Sequence, residues 1–137
     1  MITAVDSSVL IDVFAADPTL GLSSSDALRR AINEGSLIAC EIVFSEVSAA
    51  FSSSDEAKRA FRILGVEFTS IDETAALLAG SLFARYRHKG GRRNRIIPDF
   101  LVGAHATLNA DRLLTRDRGF YRQYFQDVAI WYPSLGK

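Results

Sequence analysis

Residues 2–14 run Ile2-Thr3-Ala4-Val5-Asp6-Ser7-Ser8-Val9-Leu10-Ile11-Asp12-Val13-Phe14, and their reading decides the fold. Ile2 to Val5 is a short apolar run with β-branched residues, the pattern of a strand buried on both faces. Val9, Leu10, Val13 and Phe14 then recur at helical spacing, which predicts a short helix ending before Asp17-Pro18. A buried strand passing directly into a helix begins a βα unit, with Asp6 at the turn between the two.

The alternation continues outward from there. Pro18 and Gly21 mark residues 16–22 as a loop, and Ser24-Ser25-Asp26 offers the N-cap of a helix through Asn33 that stops at Gly35. Leu37 to Cys40 is a second buried strand, followed by a helix through Glu46 to about Phe51. Ser54-Asp55 caps a helix ending at Gly65, and Val66 to Phe68 is a third strand. Asp72 caps a long helix reaching Lys89, and a further helix follows Pro98 to Asn109, proline being tolerated in a first turn. Leu113 to Thr115, a short helix from Phe120 to Phe125, and a strand from Val128 to Trp131 complete the series. Strands alternating with helices predict an α/β fold with a parallel sheet of about five strands, covered on both faces as an α/β/α sandwich.

A chain of 137 residues is about one domain, and it carries 16 basic and 16 acidic residues. That balance argues against a surface coated with positive charge for nucleic acid, while leaving room for a local basic patch. The single cysteine, Cys40, excludes an intramolecular disulfide and suits a reducing compartment. No apolar run approaches the roughly 20 residues needed to span a bilayer, and no basic segment precedes the first apolar one. The expectation is a cytoplasmic protein without a membrane partner.

Four carboxylates share one address. Asp6 and Asp117 lie just past the ends of strands, Asp99 opens a helix, and Glu46 sits within the helix that leaves the second strand. In open parallel sheets ligands bind beyond the carboxyl ends of the strands, where strand order reverses. Two carboxylates about 5 Å apart repel by roughly 3 kcal/mol at an effective dielectric of about 20, so a cluster needs a compensating cation. All-oxygen ligation suits Mg²⁺ or Mn²⁺. Each acid alone has a blander account: Asp6 and Asp99 as helix caps, Asp117 in a turn with Gly119. Glu46, mid-helix among Val43, Phe44 and Val47, resists such an account, and the joint pattern favours the metal.

The segments Val5-Asp6-Ser7-Ser8-Val9-Leu10-Ile11, Ser45-Glu46-Val47, Ile97-Pro98-Asp99-Phe100-Leu101-Val102-Gly103-Ala104 and Leu114-Thr115-Arg116-Asp117-Arg118-Gly119-Phe120 together resemble the PIN domain. Within that family they resemble the VapC-type toxin ribonucleases of prokaryotic toxin–antitoxin pairs. The resemblance spans residues 1–137, in order. It implies that Asp6, Glu46, Asp99 and Asp117 hold Mg²⁺ or Mn²⁺ for RNA hydrolysis, with Thr115 and a hydroxyl of Ser7 or Ser8 in support. It also implies a VapB-like antitoxin as partner and a symmetric homodimer. Ala60, Phe61, Leu77, Leu78, Leu82 and Phe83 supply more apolar surface on two helices than one small sheet must cover. His105 and Phe100 depart from the small residues usual at those places.

Arg85, Arg87, Lys89, Arg92, Arg93 and Arg95 cluster ahead of Asp99, with Tyr86 and His88 between them. They read either as a solvated helix end or as a phosphate track toward the acids, and Arg116 and Arg118 are further candidates for phosphate. Asp12 and Asp17 read as surface acids, Cys40 as a small buried residue, and His105 as a helix residue facing its neighbours. Phosphatases with paired aspartates, receiver domains, P-loop proteins and zinc sites all lack their required residues here. Two functions remain: a metal-dependent endoribonuclease acting as a toxin, or a PIN-fold subunit that binds nucleic acid with weak or no cleavage.

Overall fold

β1 (Ile2–Val5) is the middle strand of a five-stranded sheet in the computed structural model, which describes residues 1–90 and 95–134. On one side β1 pairs with β2 (Ser36–Ala39), which pairs with β3 (Val66–Phe68). On the other it pairs with β4 (Arg112–Leu114), which pairs with β5 (Ala129–Trp131). All four pairings are parallel and the order is β3-β2-β1-β4-β5. Thr3, Ala4 and Val5, Leu37, Ile38 and Ala39, and Leu113 and Leu114 are all buried. Consecutive strand residues point to opposite faces, so both faces of the sheet are covered and the molecule has three layers.

The covering helices are α1 (Ser7–Phe14), α2 (Gly21–Glu34), α3 (Glu41–Ser48), α4 (Ser54–Leu64), α5 (Glu73–His88), α6 (Ile97–Asn109) and α7 (Arg118–Tyr124). Their starts are set by short polar side chains: Asp6 accepts from the Ser7 N–H, Ser53 from Glu56 and Asp72 from Ala75. α4 ends at Gly65, whose φ of 78° is the left-handed conformation that glycine adopts without strain. No described helix is long and apolar enough to cross a membrane.

The sheet agrees with the expected α/β architecture, and the departures are instructive. α2 begins at Gly21 instead of being capped at residues 24–26, and Ser23 and Ser24 lie buried inside it. The cap of α4 is Ser53, one residue earlier than expected, and α3 stops at Ser48. Asp12, expected on the surface, is buried. Its partner explains this: Arg116 Nε donates to Asp12 Oδ2 at 2.8 Å, with both side chains nearly out of solvent.

Phe100, one residue past Asp99, is fully buried at the centre of an aromatic cluster with Phe83, Tyr86, Phe120, Tyr124 and Phe125. This packing joins α5, α7 and α6, the helix that carries Asp99. It also gives Phe100 a packing role in the core.

Candidate metal centre

The strand order reverses between β1 and β4, which places the crevice of the sheet at their carboxyl ends. Asp6 leaves β1 there and Thr115 leaves β4. The Asp6 N–H donates to Leu114 O at 2.9 Å, which continues the ladder to the edge of the crevice. The Thr115 hydroxyl donates to Asp6 Oδ2 at 2.7 Å and accepts the Asp117 N–H at 3.0 Å. A single buried threonine thus fixes the Asp6 carboxylate and the backbone of Asp117 relative to each other.

The other acids arrive from helices. Asp99 Oδ2 accepts the Ile96 N–H at 3.1 Å, so the carboxylate serves as a cap of α6 with one oxygen and leaves Oδ1 for other work. Glu46 lies near the C-terminal end of α3 and is exposed. Its Oε1 accepts the Ser7 hydroxyl at 2.8 Å, which aims it at the start of α1. Ser8 has a different task, accepting the Arg116 N–H at 3.3 Å.

The charges of these groups act on one another. Burial pushes the Asp6 carboxyl up to about 6, against the Thr115 hydroxyl and the Ser7 N–H that lower it, and the charges of Glu46 and Asp117 push it further upward. Burial also raises the Tyr121 hydroxyl well above its usual value, and Asp6, Asp99 and Asp117 add to that shift. Tyr121, on α7, was not singled out from the sequence. Only its place three residues after Thr-Arg-Asp-Arg could have pointed to it.

Positive charge reaches the cluster through Arg95, which lies 2.5 Å from Asp117 Oδ2 and 4.4 Å over the Phe120 ring. Burial works against its charge, but the hydrogen bond and charge of Asp117, with the charge of Asp99, hold the guanidinium above its ordinary value.

The donor set fits a hard divalent cation: four carboxylates and a threonine hydroxyl, all oxygen. The arrangement is nevertheless open. Among the described residues, no group of three or more His, Cys, Asp or Glu is gathered closely enough to hold an ion as it stands. Repulsion among the acids and the Arg95–Asp117 pair give a physical reason for the spread.

The basic candidates separate into three groups. Arg85, Arg87, Lys89 and Arg118 are exposed, with Arg87 over the Phe83 ring and Arg118 over Tyr132. Arg95 is engaged with the acids, and Arg92 and Arg93 lie outside the described residues. Arg116, expected to touch phosphate, is turned inward: its guanidinium donates to Asp12, Ser23, Ser24, Leu20 O and Pro133 O. Those contacts occupy its donors within the fold. His105 is buried with Nε2 2.6 Å from Thr69 Oγ1, and Cys40 is a buried free thiol.

The PIN domain family model matches residues 3–126. Among solved structures, VapBC2 from Rickettsia felis, bound to a DNA fragment from its promoter, is similar with a TM-score of 0.75. It is 17% identical over 98% of this chain and 100% of that one. VapBC-1 from nontypeable Haemophilus influenzae has a TM-score of 0.70 at 20% identity, covering 96% and 98% of the two chains. A toxin–antitoxin complex from Klebsiella pneumoniae has a TM-score of 0.62 at 19% identity, covering 85% and 87%. No curated protein matches the chain in sequence.

Proposed function

Because this chain belongs to the PIN domain family, we propose that it is a metal-dependent endoribonuclease, the VapC-type toxin of a toxin–antitoxin pair. The observation that carries this reading is the Thr115 hydroxyl, which joins Asp6 to Asp117 at the reversal of strand order. Asp6, Glu46, Asp99 and Asp117 would hold Mg²⁺ or Mn²⁺. When bound, such an ion polarises the scissile phosphate and lowers the pKa of a water molecule.

The chain's own residues prepare that site. Thr115 holds Asp6 in one orientation, Ser7 directs Glu46, and the N–H of Ile96 orients Asp99. Exposed Arg85, Arg87, Lys89 and Arg118 offer positive charge to an RNA backbone, with Arg92 and Arg93 proposed for the same track.

The restraining partner would be a VapB-like antitoxin. Ile11, Phe14, Val47 and Phe51 line an apolar recess between α1 and the end of α3, and Phe44, Phe61 and Phe68 line a second beside it. An apolar antitoxin segment laid there, with an arginine reaching the acids, would replace the charge of the metal. Homodimerisation belongs to the same reading. Phe61 and Leu82 are buried within this chain, so a dimer face on α5 rests on exposed Leu77 and on partly buried Leu78 and Phe83.

The test is cleavage of structured RNA by purified protein with Mn²⁺, beside an Asp6→Asn control, and growth of cells expressing either chain. Mn²⁺-dependent cleavage lost in the variant supports the reading. The open arrangement of the acids favours the second reading, a nucleic-acid-binding subunit with weak or no nuclease activity. RNA left intact by the unmutated chain, which nonetheless binds nucleic acid with its partner, would establish that one.

A further inference from the structure

Asp12 and Arg116 form a buried ion pair that takes no part in the cluster of Asp6, Glu46, Asp99 and Asp117. Arg116 Nε lies 2.8 Å from Asp12 Oδ2, with side chains only 11% and 12% exposed. Ser24 donates to the same Oδ2 at 2.9 Å, and Arg116 Nη2 reaches Ser24 Oγ and Ser23 Oγ, each at 2.8 Å. Nη2 also lies 2.9 Å from Leu20 O, Nη1 donates to Pro133 O at 3.1 Å, and the backbone N–H of Arg116 donates to Ser8 Oγ. One side chain from the β4–α7 connection is therefore tied to α1, α2 and the segment beyond β5.

Energetics make this an odd way to obtain stability. Removing two charges from water costs several kcal/mol each, and well-packed apolar replacements of such pairs are often neutral or stabilising. What an apolar replacement lacks is direction. Arg116 stands between Thr115, which holds Asp6, and Asp117. Asp12 stands on the helix that Asp6 caps. The two connections cross-brace one pair of elements: Thr115 to Asp6 on the crevice side, Arg116 to Asp12 behind it.

We propose that the Asp12–Arg116 pair is a positioning device that fixes the Thr115–Asp117 segment against the start of α1 and so sets the spacing of the acids. For its effect on the metal it rests on the functional reading above; its effect on the segment does not.

The test uses the full chain with both charges replaced, Asp12→Leu with Arg116→Met, and separately the conservative Arg116→Lys. Amide hydrogen exchange without metal is read at Arg116 and Asp117 and compared with Ala4 and Leu113 in the sheet. Mn²⁺ affinity is read by calorimetry. The double variant should fold with a melting temperature near that of the parent. Exchange at Arg116 and Asp117 should be at least tenfold faster while the sheet amides hold, and Mn²⁺ should bind at least tenfold more weakly.

Arg116→Lys, which keeps the charge and loses the fork, should fall between parent and double variant. Should the double variant fail to fold, the comparison of Arg116→Lys with the parent decides by the same two readouts. Unchanged exchange at Arg116 and Asp117 in a folded variant would overturn the proposal. Faster exchange in a protein whose parent binds no Mn²⁺ would support the positioning role and count against the metal reading alone.

Discussion

Arg95 and Asp117 form an ion pair at 2.5 Å in which the cation comes from the approach to α6 and the acid from the end of β4. The guanidinium thereby supplies, from within the chain, part of the positive charge that the acids require. Its side chain is 27% exposed and that of Asp117 39%, so solvent screens the pair and its worth to stability is about 1 kcal/mol or less. Arg95→Gln should lower the metal-free melting temperature by a few degrees and enlarge the rise produced by millimolar Mn²⁺. Thermal melts of both proteins with chelator and with Mn²⁺ check this; an unaltered metal response would show that Arg95 does not compete for the site.

The Asp6 carboxyl gives the metal-free protein a definite pH dependence. Its folded value of about 6 lies above the ordinary 3.8, so the folded state holds a proton that the unfolded chain has released between those values. Stability from this group is present below about pH 4 and is lost as pH rises through 6, by about 2–3 kcal/mol in all. Burial lowers His105 from 6.5, partly offset by the charge of Glu41, and that group works in the opposite sense, losing stability as pH falls. Melts of Asp6→Asn beside the parent isolate the first effect: the difference between the two should change between pH 4 and 7 and be flat above.

Amide replacement of Asp6, Glu46, Asp99 or Asp117 should each cut RNA cleavage by at least about 100-fold, roughly 2.7 kcal/mol of transition-state stabilisation. The Asp6 and Asp99 double replacement should lose little more than either alone, because the acids act as a unit. Asp99→Asn should also raise the metal-free melting temperature by relieving repulsion. Parental rates in Glu46→Gln would assign Glu46 to structure.

Gly103 on α6 lies against the Phe125 ring so closely that a Cβ there would stand 2.3 Å from ring carbon Cε2. Phe125 is itself held among Phe100, Phe120 and Tyr121, which leaves the ring little room to retreat. Gly103→Ala should therefore destabilise by about 1–3 kcal/mol through overpacking. Denaturant unfolding measures the change, and a cost within error of zero would show that α7 and Phe125 can shift.

Elements whose character is local were legible in the sequence. Ile2 to Val5 and Val66 to Phe68 are strands because a few apolar residues suffice to say so, and Asp72 announces its helix by its own cap. The positions of Asp6 and Asp117 were legible because each follows the end of a strand, whereas Glu46 and Asp99 arrive from helices. The errors involve polar residues with distant partners. Ser24 and Asp12 were read as cap and surface, yet they are buried against Arg116, which lies 92 and 104 positions further along the chain. No local pattern reports such a partner, and the same blindness sent Arg116 outward to phosphate when its donors point inward.

The Thr115–Asp6 hydrogen bond joins positions 109 apart in the chain. On a ribosome adding about 5–20 residues per second, Asp6 is made roughly 5–20 s before Thr115 exists. Even after β2 (Ser36–Ala39) has been made, β1 lacks β4 until residues 112–114 are added, so the crevice has one wall. Translation itself thus delays the site: a nascent or prematurely stopped chain carries Asp6 and Glu46 but has nothing to hold them against.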